Sequence, residues 1–135
     1  MPTLTLKVSP PQTADRHHAL ASALTRITAE TLGKRADVTA VLIDDVDPQR
    51  WHIGGRALQQ ASAWLEICIT AGTNTAEQKA AFIADAHAEL QRQLAGNGTL
   101  APASYVIVHE LPASDWGYGG VTQRARQLAR SVAAA

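Results

Sequence analysis

Two segments alternate apolar and polar residues, and each predicts a β-strand with one buried face. In the first segment, Leu4, Leu6 and Val8 share one face. In the second, the same alternation places three apolar residues on one face: Leu65, Ile67 and Ile69. Because successive side chains of a strand point to opposite sides of its sheet, both segments should pack one face on a core.

A helix is predicted after each strand from capping residues and apolar spacing. Thr13 is a candidate N-cap and Gly33 a stop for the first helix. Its predicted core face consists of Leu20, Ala23, Leu24 and Ile27. Thr75 and Gln78 form a Thr-x-x-Gln capping box for the second helix. Its predicted apolar stripe contains Ile83, Ala86, Leu90 and Leu94, and its stops are Gly96 and Gly98.

The chain contains an internal repeat. Trp51 is followed three residues later by Gly54-Gly55, and Trp116 is followed in the same way by Gly119-Gly120, 65 residues further on. A β-branched run precedes each motif, at residues 38–43 and 104–109. Glycine pairs of this kind suit hairpin turns that need positive φ, and they lack the context of a phosphate-binding loop.

These elements predict an α+β fold of two tandem β-α-β units. The units should form one four-stranded sheet with two helices on one face, since β-α-β crossovers are right-handed and pair parallel strands. We expect a single domain over residues 2–120, with unit one at 2–61 and unit two at 62–120. A helical tail follows at 121–135, and its apolar residues Val121, Leu128 and Val132 should pack on the body or on a neighbouring chain.

Composition narrows the possible functions. The 135 residues include 12 Lys and Arg against 12 Asp and Glu, and 46% are hydrophobic. A neutral globular chain without a basic block gives no reason to expect nucleic acid as a partner, and no apolar run predicts a membrane span. The single cysteine, Cys68, favours a cytoplasmic protein. The five histidines show no chelating spacing, so neither a metal nor another cofactor is expected.

The Met1-Pro2 start, the β-α-β order and the Trp-x-Ile-Gly-Gly hairpin resemble the tautomerase superfamily. With two units in one chain, the sequence is similar to its fused 4-oxalocrotonate tautomerase-like members over about residues 2–120. The resemblance implies the tautomerase fold (shared with MIF), a homotrimer and a small-molecule substrate. It also implies an isomerase that interconverts enol and keto forms of a small 2-oxo acid or a related carbonyl compound.

The same resemblance makes Pro2 the catalytic base. Tautomerisation needs a base with a pKa near the working pH, and a proline at the amino terminus is a rigid secondary amine that burial can tune. An internal proline nitrogen is an amide, so the prediction requires removal of Met1. Ala63 and Trp64 stand at the start of unit two, which implies one active site per chain.

The sequence departs from the family pattern at the substrate clamp. Aligned without gaps, Gln12 and Ala40 in unit one, and Asn74 and Tyr105 in unit two, stand where the family has two arginines. Trp51 and Trp116 stand at an aromatic position of the pocket, and Arg56 is the nearest replacement cation. The predicted substrate-binding residues are therefore Gln12, Trp51, Arg56, Asn74, Tyr105 and Trp116.

Two alternatives remain open from the sequence. A hydratase or dehalogenase of the same superfamily would need a carboxylate that activates water, for which Asp44, Glu66 and Glu110 are available. A non-catalytic ligand-binding or RNA-binding module could share the β-α-β order, although RNA binding favours exposed aromatic residues and basic charge.

Overall fold

A computed structural model describes residues 1–134, so Ala135, the last residue of the predicted tail, lies outside the described residues. Three helices and eight strands follow one another along the chain. They are β1 (Thr3–Ser9), α1 (Ala14–Leu32), β2 (Ala40–Asp45), β3 (His52–Ile53), β4 (Arg56–Ala57), β5 (Ser62–Thr70), α2 (Ala76–Ala95), β6 (Tyr105–Leu111), β7 (Gly117–Tyr118), β8 (Val121–Thr122) and α3 (Gln123–Ala134).

The long strands form one four-stranded sheet in the order β2-β1-β5-β6, which confirms the predicted fold class. Within each unit the two strands are parallel, β1 with β2 and β5 with β6. The units meet through the antiparallel pair β1 and β5, in which Thr3 lies opposite Cys68 and Ser9 lies opposite Ser62. The start of each unit's first strand therefore lies beside the end of the other unit's first strand.

The core lies between the sheet and the pair of helices α1 and α2. The predicted strand faces Leu4-Leu6-Val8 and Leu65-Ile67-Ile69 are fully or almost fully buried. In α2 the predicted stripe is wrong at one position, because Phe82 is buried whereas Ile83 is 40% exposed. Phe82, Ala86 and Leu90 are spaced four residues apart, so the larger side chain takes the core position and Ile83 is turned towards solvent.

Local signals set the helix ends and hairpins as predicted. The Thr13 side chain accepts a hydrogen bond from the Arg16 backbone, and Gly33 ends α1 with a φ of 68°. Thr75 and Gln78 form the complete capping box of α2. Strand β2 begins at Ala40, two residues later than predicted, because residues 36–38 form a 3-10 turn first.

The predicted helical tail begins instead with strand β8 at residues 121–122, and helix α3 starts at Gln123. Val121, Leu128 and Val132 are 40%, 55% and 77% exposed, so they do not pack within this chain, and their packing on a neighbouring chain stays a prediction. The buried residue of α3 is Gln123, whose backbone N–H bonds to the hairpin before the helix. Among residues 1–134, no helix is long and apolar enough to cross a membrane.

Candidate active site at the amino end of the first strand

Pro2 is buried at the start of β1, beside a cavity of about 240 Å³. Its carbonyl oxygen accepts a hydrogen bond of 3.2 Å from the Ala40 backbone, which fixes the residue against β2. The apolar part of the cavity wall is formed by Pro2, Val38, Ile69 and Trp116. These side chains come from four different segments that the sheet topology brings together. A small substrate in this cavity would lie directly against Pro2.

Two basic residues reach the cavity from the end of helix α1. Gly33 adopts the left-handed conformation that ends the helix, and Lys34 and Arg35 follow it into the cavity wall. The Lys34 ammonium donates a hydrogen bond of 2.9 Å to the Thr73 hydroxyl. Arg35 forms a bidentate pair with Asp37, with N–O distances of 2.6 and 3.2 Å. Arg35 is therefore neutralised by a carboxylate, whereas Lys34 has a neutral partner.

Helix α3 closes the opposite side of the cavity. Gln123, Gln127 and Arg130 line it, and their spacing of four and three residues puts them on one helical face. Polar contacts fix this helix to the second hairpin. The Gln123 backbone donates to the Trp116 carbonyl at 2.9 Å, and the Arg126 guanidinium donates to the Tyr118 carbonyl at 2.9 Å. The guanidinium also lies 3.8 Å from the centre of the Tyr118 ring.

The cavity has a positive electrostatic environment. Lys34, Arg35 and Arg130 line it, and none of its lining residues within the described part of the chain is acidic. Burial lowers the pKa of the Met1 amino group below its ordinary value, and neighbouring positive charges lower it further, in the order Lys34, Arg130 and Arg35. Burial also lowers the pKa of the Lys34 ammonium. An amine at this position is therefore more readily neutral than an exposed one.

Trp116 is the predicted binding residue that the structure places directly beside Pro2. Its indole Nε1 is buried and has no hydrogen-bond acceptor within residues 1–134. Asn74 lies at the same end of the sheet, next to the cavity residue Thr73. Its amide donates to the Leu32 carbonyl at 2.9 Å and to the Gln78 side chain at 3.1 Å. Asn74 thus ties the end of α1 to the start of α2.

The other predicted binding residues lie at the far end of the sheet within this chain. Gln12 donates from its backbone to Asp45 at the end of β2. Trp51 lines a separate cavity of about 560 Å³ with Trp64 and Lys7, and Tyr105 pairs with Trp64. Arg56 lies with residues of the loop before β5. The length of β1 separates this end from Pro2 by roughly 20 Å.

The antiparallel contact between the units explains this distribution. Strand β6 runs parallel to β5 and antiparallel to β1, so it ends at the end of the sheet where β1 starts. The hairpin that follows β6 contributes Trp116 and Tyr118 to the cavity at Pro2. The hairpin of unit one is at the opposite end, where Trp51 and His52 line a cavity with Trp64 of β5. Residues 33–35 and Val38 of unit one line the Pro2 cavity within the chain, whereas the hairpin of unit one could reach a Pro2 cavity only from a neighbouring chain.

Lys34, Arg35 and Arg130 were not identified from the sequence as site residues. The Lys-Arg pair directly after the helix stop Gly33 would have indicated two cations at the end of α1. The tail also has a polar helical face, formed by Gln123, Gln127 and Arg130, which would have indicated a helix that packs on a polar cavity. Neither pattern shows by itself that the two segments meet.

Comparisons with known proteins agree with this arrangement. Residues 2–61 match the family model described as tautomerase enzyme. A probable tautomerase K2 from Dickeya dadantii (strain 3937) is 39% identical over 54 residues, which cover 37% of this chain and 81% of that protein.

Solved structures extend the similarity to the whole fold. The R7 fused 4-OT asymmetric trimer is 26% identical with a TM-score of 0.82, covering 93% of this chain and 98% of its own. A native fused 4-OT is 26% identical with a TM-score of 0.77, covering 91% and 97%. The chain belongs to the tautomerase superfamily and is a fused 4-OT-like member of it.

Proposed function

We propose that this chain is an isomerase that interconverts the enol and keto forms of a small 2-oxo acid or a related carbonyl compound. The amine of Pro2 acts as the base once Met1 has been removed. The observation that carries the proposal is the position of Pro2, which is buried beside a cavity lined by cations and apolar side chains. Membership of the tautomerase superfamily supports the same reaction class.

The environment of Pro2 suits a base that must be neutral near pH 7. Removal of Met1 would leave the Pro2 nitrogen as a secondary amine in the surroundings that lower the pKa of the Met1 amine. Burial and nearby cations both disfavour the protonated amine, so its pKa should lie below that of an exposed terminus. Retained Met1 would make this nitrogen an amide with no basicity.

The proton balance of the reaction is simple. The neutral amine accepts the hydroxyl proton of the enol, so the O–H bond breaks and the carbonyl forms. The resulting ammonium donates a proton to the neighbouring carbon, where a C–H bond forms and the C=C bond becomes single. The amine returns to its neutral state, and no cofactor is consumed. Val38, Ile69 and Trp116 form an apolar wall beside the base, and we expect this wall to limit access of water.

The test compares Pro2→Ala with the wild-type chain, both with Met1 removed, on phenylenolpyruvate. Ketonisation by the wild type should rise with pH through one ionisation, because only the neutral amine accepts the proton. Pro2→Ala should lose most activity and shift this ionisation, since a primary amine has a different pKa. Pro11→Ala, a change at an exposed proline in the loop after β1, is the matched control and should retain activity. Equal rates for Pro2→Ala and wild type would contradict the proposal.

The available acids favour this reaction over hydration or dehalogenation. Glu66 hydrogen-bonds to His109 at 2.9 Å, Glu110 pairs with Lys79, and Asp44 lies 3.8 Å from Lys7. None of the three acids lines the cavity at Pro2 as the described residues define it. A carboxylate that activates water beside Pro2 would have to come from elsewhere.

A cytoplasmic location stays an expectation that rests on the single cysteine.

We also propose that the protein is a homotrimer. The fused 4-OT structures R7 and F6 are described as asymmetric trimers. In this chain, Leu42 and Tyr105 are exposed on the sheet and Leu128 and Val132 on α3. Three chains arranged in a ring would cover these residues. Sedimentation should give a trimer at micromolar concentration, whereas a clean monomer would contradict the proposal.

A trimer would also allow one protomer to contribute to a neighbour's site. Gln12, Trp51, Arg56 and Tyr105 remain predicted substrate-binding residues on that basis. Asn74 remains one within its own chain, at the Pro2 end of the sheet.

A further inference from the structure

We propose that Arg130 of helix α3, together with Lys34, binds a carboxylate group of the substrate beside Pro2. The inference rests on the proposed function and extends it by naming the charged group and the residues that select it. It assigns recognition of the substrate carboxylate to helix α3, which follows the second β-α-β unit.

Within residues 1–134, Lys34 and Arg130 have no anionic partner. Of the three basic residues that line the cavity, Arg35 is occupied by Asp37 at 2.6 Å. Lys34 donates to a threonine hydroxyl, and no carboxylate within residues 1–134 lies in ion-pair distance of Lys34 or Arg130. Two uncompensated positive charges beside a cavity without acidic residues favour an anionic ligand.

The cations come from different elements that are held in place independently. Lys34 follows the αL cap of α1 and is anchored by Thr73. Arg130 lies on the same helical face as Gln123, whose backbone is tied to the second hairpin. Both cations line the same cavity as the amino-terminal residues Met1 and Pro2. A carboxylate bound between them would place the adjacent oxo or enol carbon of a 2-oxo acid in the cavity beside Pro2.

The charge also explains how one cavity can combine a neutral base with an anionic substrate. The cations that disfavour protonation of the amine are the same groups that attract the carboxylate. Arginine and lysine differ here, because a guanidinium can form two parallel hydrogen bonds to a carboxylate and an ammonium acts as a point charge. Arg130 should therefore contribute more to selectivity than Lys34.

The experiment compares phenylenolpyruvate with its neutral methyl ester in chains that lack Met1. Arg130→Ala should raise KM for the acid roughly tenfold to a hundredfold, which is the loss expected for a charge-assisted hydrogen bond. The KM for the ester should stay within about twofold, and kcat for the acid should fall less than KM rises. Arg130→Lys should recover part of the loss, and Lys34→Gln should act in the same direction as Arg130→Ala.

Arg124→Ala is the matched control, since Arg124 is an exposed arginine of the same helix that does not line the cavity. It should leave both substrates unaffected. If Arg130→Ala changes the acid and the ester equally, Arg130 has a structural role and the inference is wrong.

A binding measurement separates failure of this inference from failure of the proposed function. Calorimetry with 3-phenylpropanoate and its amide requires no turnover. Binding of the acid that Arg130→Ala weakens supports the inference even if the chain is catalytically inactive. Turnover of both substrates with no selective loss in Arg130→Ala overturns the inference and leaves the proposed function intact. Equal binding of acid and amide also overturns it.

Discussion

Arg126 should control the cavity without lining it, because it fastens helix α3 to the second hairpin. Its guanidinium donates to the Tyr118 carbonyl at 2.9 Å and lies 3.8 Å from the centre of the Tyr118 ring. Arg126→Ala removes both contacts and leaves the core between the sheet, α1 and α2 unchanged. We therefore expect local release of α3 rather than global unfolding.

The size of the effect follows from the two contacts. A hydrogen bond from a charged donor contributes about 1.5–3 kcal/mol, and a cation-π contact about 0.5–2 kcal/mol. The Arg126 Nε is buried without an acceptor among the described residues, and its removal returns about 1 kcal/mol. The two contacts less this return leave a net loss of about 1–4 kcal/mol, which would raise the open population of α3 roughly fivefold to several hundredfold. A 12-residue helix has little stability of its own once released.

Hydrogen exchange of the α3 amides in Arg126→Ala is the direct assay, with Arg124→Ala as control. Hydrogen exchange of the α3 amides should accelerate by the same factor as the open population of α3 rises. The amides of β1 and β5 should remain protected. The KM for phenylenolpyruvate should rise as it does in Arg130→Ala, and the double variant should be no worse than the stronger single variant. Unchanged exchange of α3, or fully additive effects on KM, would refute this account of how the tail helix is held.

Three further predictions concern stability. Leu65→Ala, at a fully buried position of β5, should lower the free energy of unfolding by about 3 kcal/mol in urea titrations; a loss under 1 kcal/mol would contradict this. Gly117→Ala should disrupt the second hairpin, because a Cβ there would lie 2.8 Å from the Thr122 Cα. Unchanged hydrogen exchange of the hairpin amides in this variant would contradict the prediction. Arg92 lowers the pKa of Glu89, so the stability that this carboxylate adds is present above its unfolded pKa and lost as pH falls through the folded value. Glu89→Gln should therefore lower the free energy of unfolding at pH 7, and the two proteins should become equally stable in acid. A difference in free energy of unfolding that does not change with pH would exclude this cause.

The fold could be predicted because its local signals agree with each other. Strand alternation, the caps at Thr13 and Thr75 and the glycine hairpins each indicate one element, and their order leaves few arrangements of a two-layer sheet. The error at Ile83 arose because a spacing of three and four residues fits two adjacent helical stripes. Only packing selects Phe82 for the core.

The candidate site was harder to predict because it is formed by contacts between units. The antiparallel contact of β1 with β5 places Trp116 at Pro2 and sends Trp51 to the other end of the sheet. The sequence indicated both tryptophans as binding residues without showing which hairpin reaches Pro2. Lys34 and Arg130 are separated by most of the chain, and their shared cavity depends on how α3 docks. The sequence prediction considered only the apolar residues of the tail, for packing on the body or on a neighbouring chain, and did not consider its polar face.

The central claim is that Pro2 works as a free secondary amine, and one measurement tests it most directly. Preparations with Met1 removed and with Met1 retained, distinguished by intact mass, are compared for ketonisation of phenylenolpyruvate at the same concentration and pH. The account predicts activity in proportion to the fraction of chains that begin at Pro2, and none in chains that retain Met1. Undiminished activity in a preparation that fully retains Met1 would contradict it.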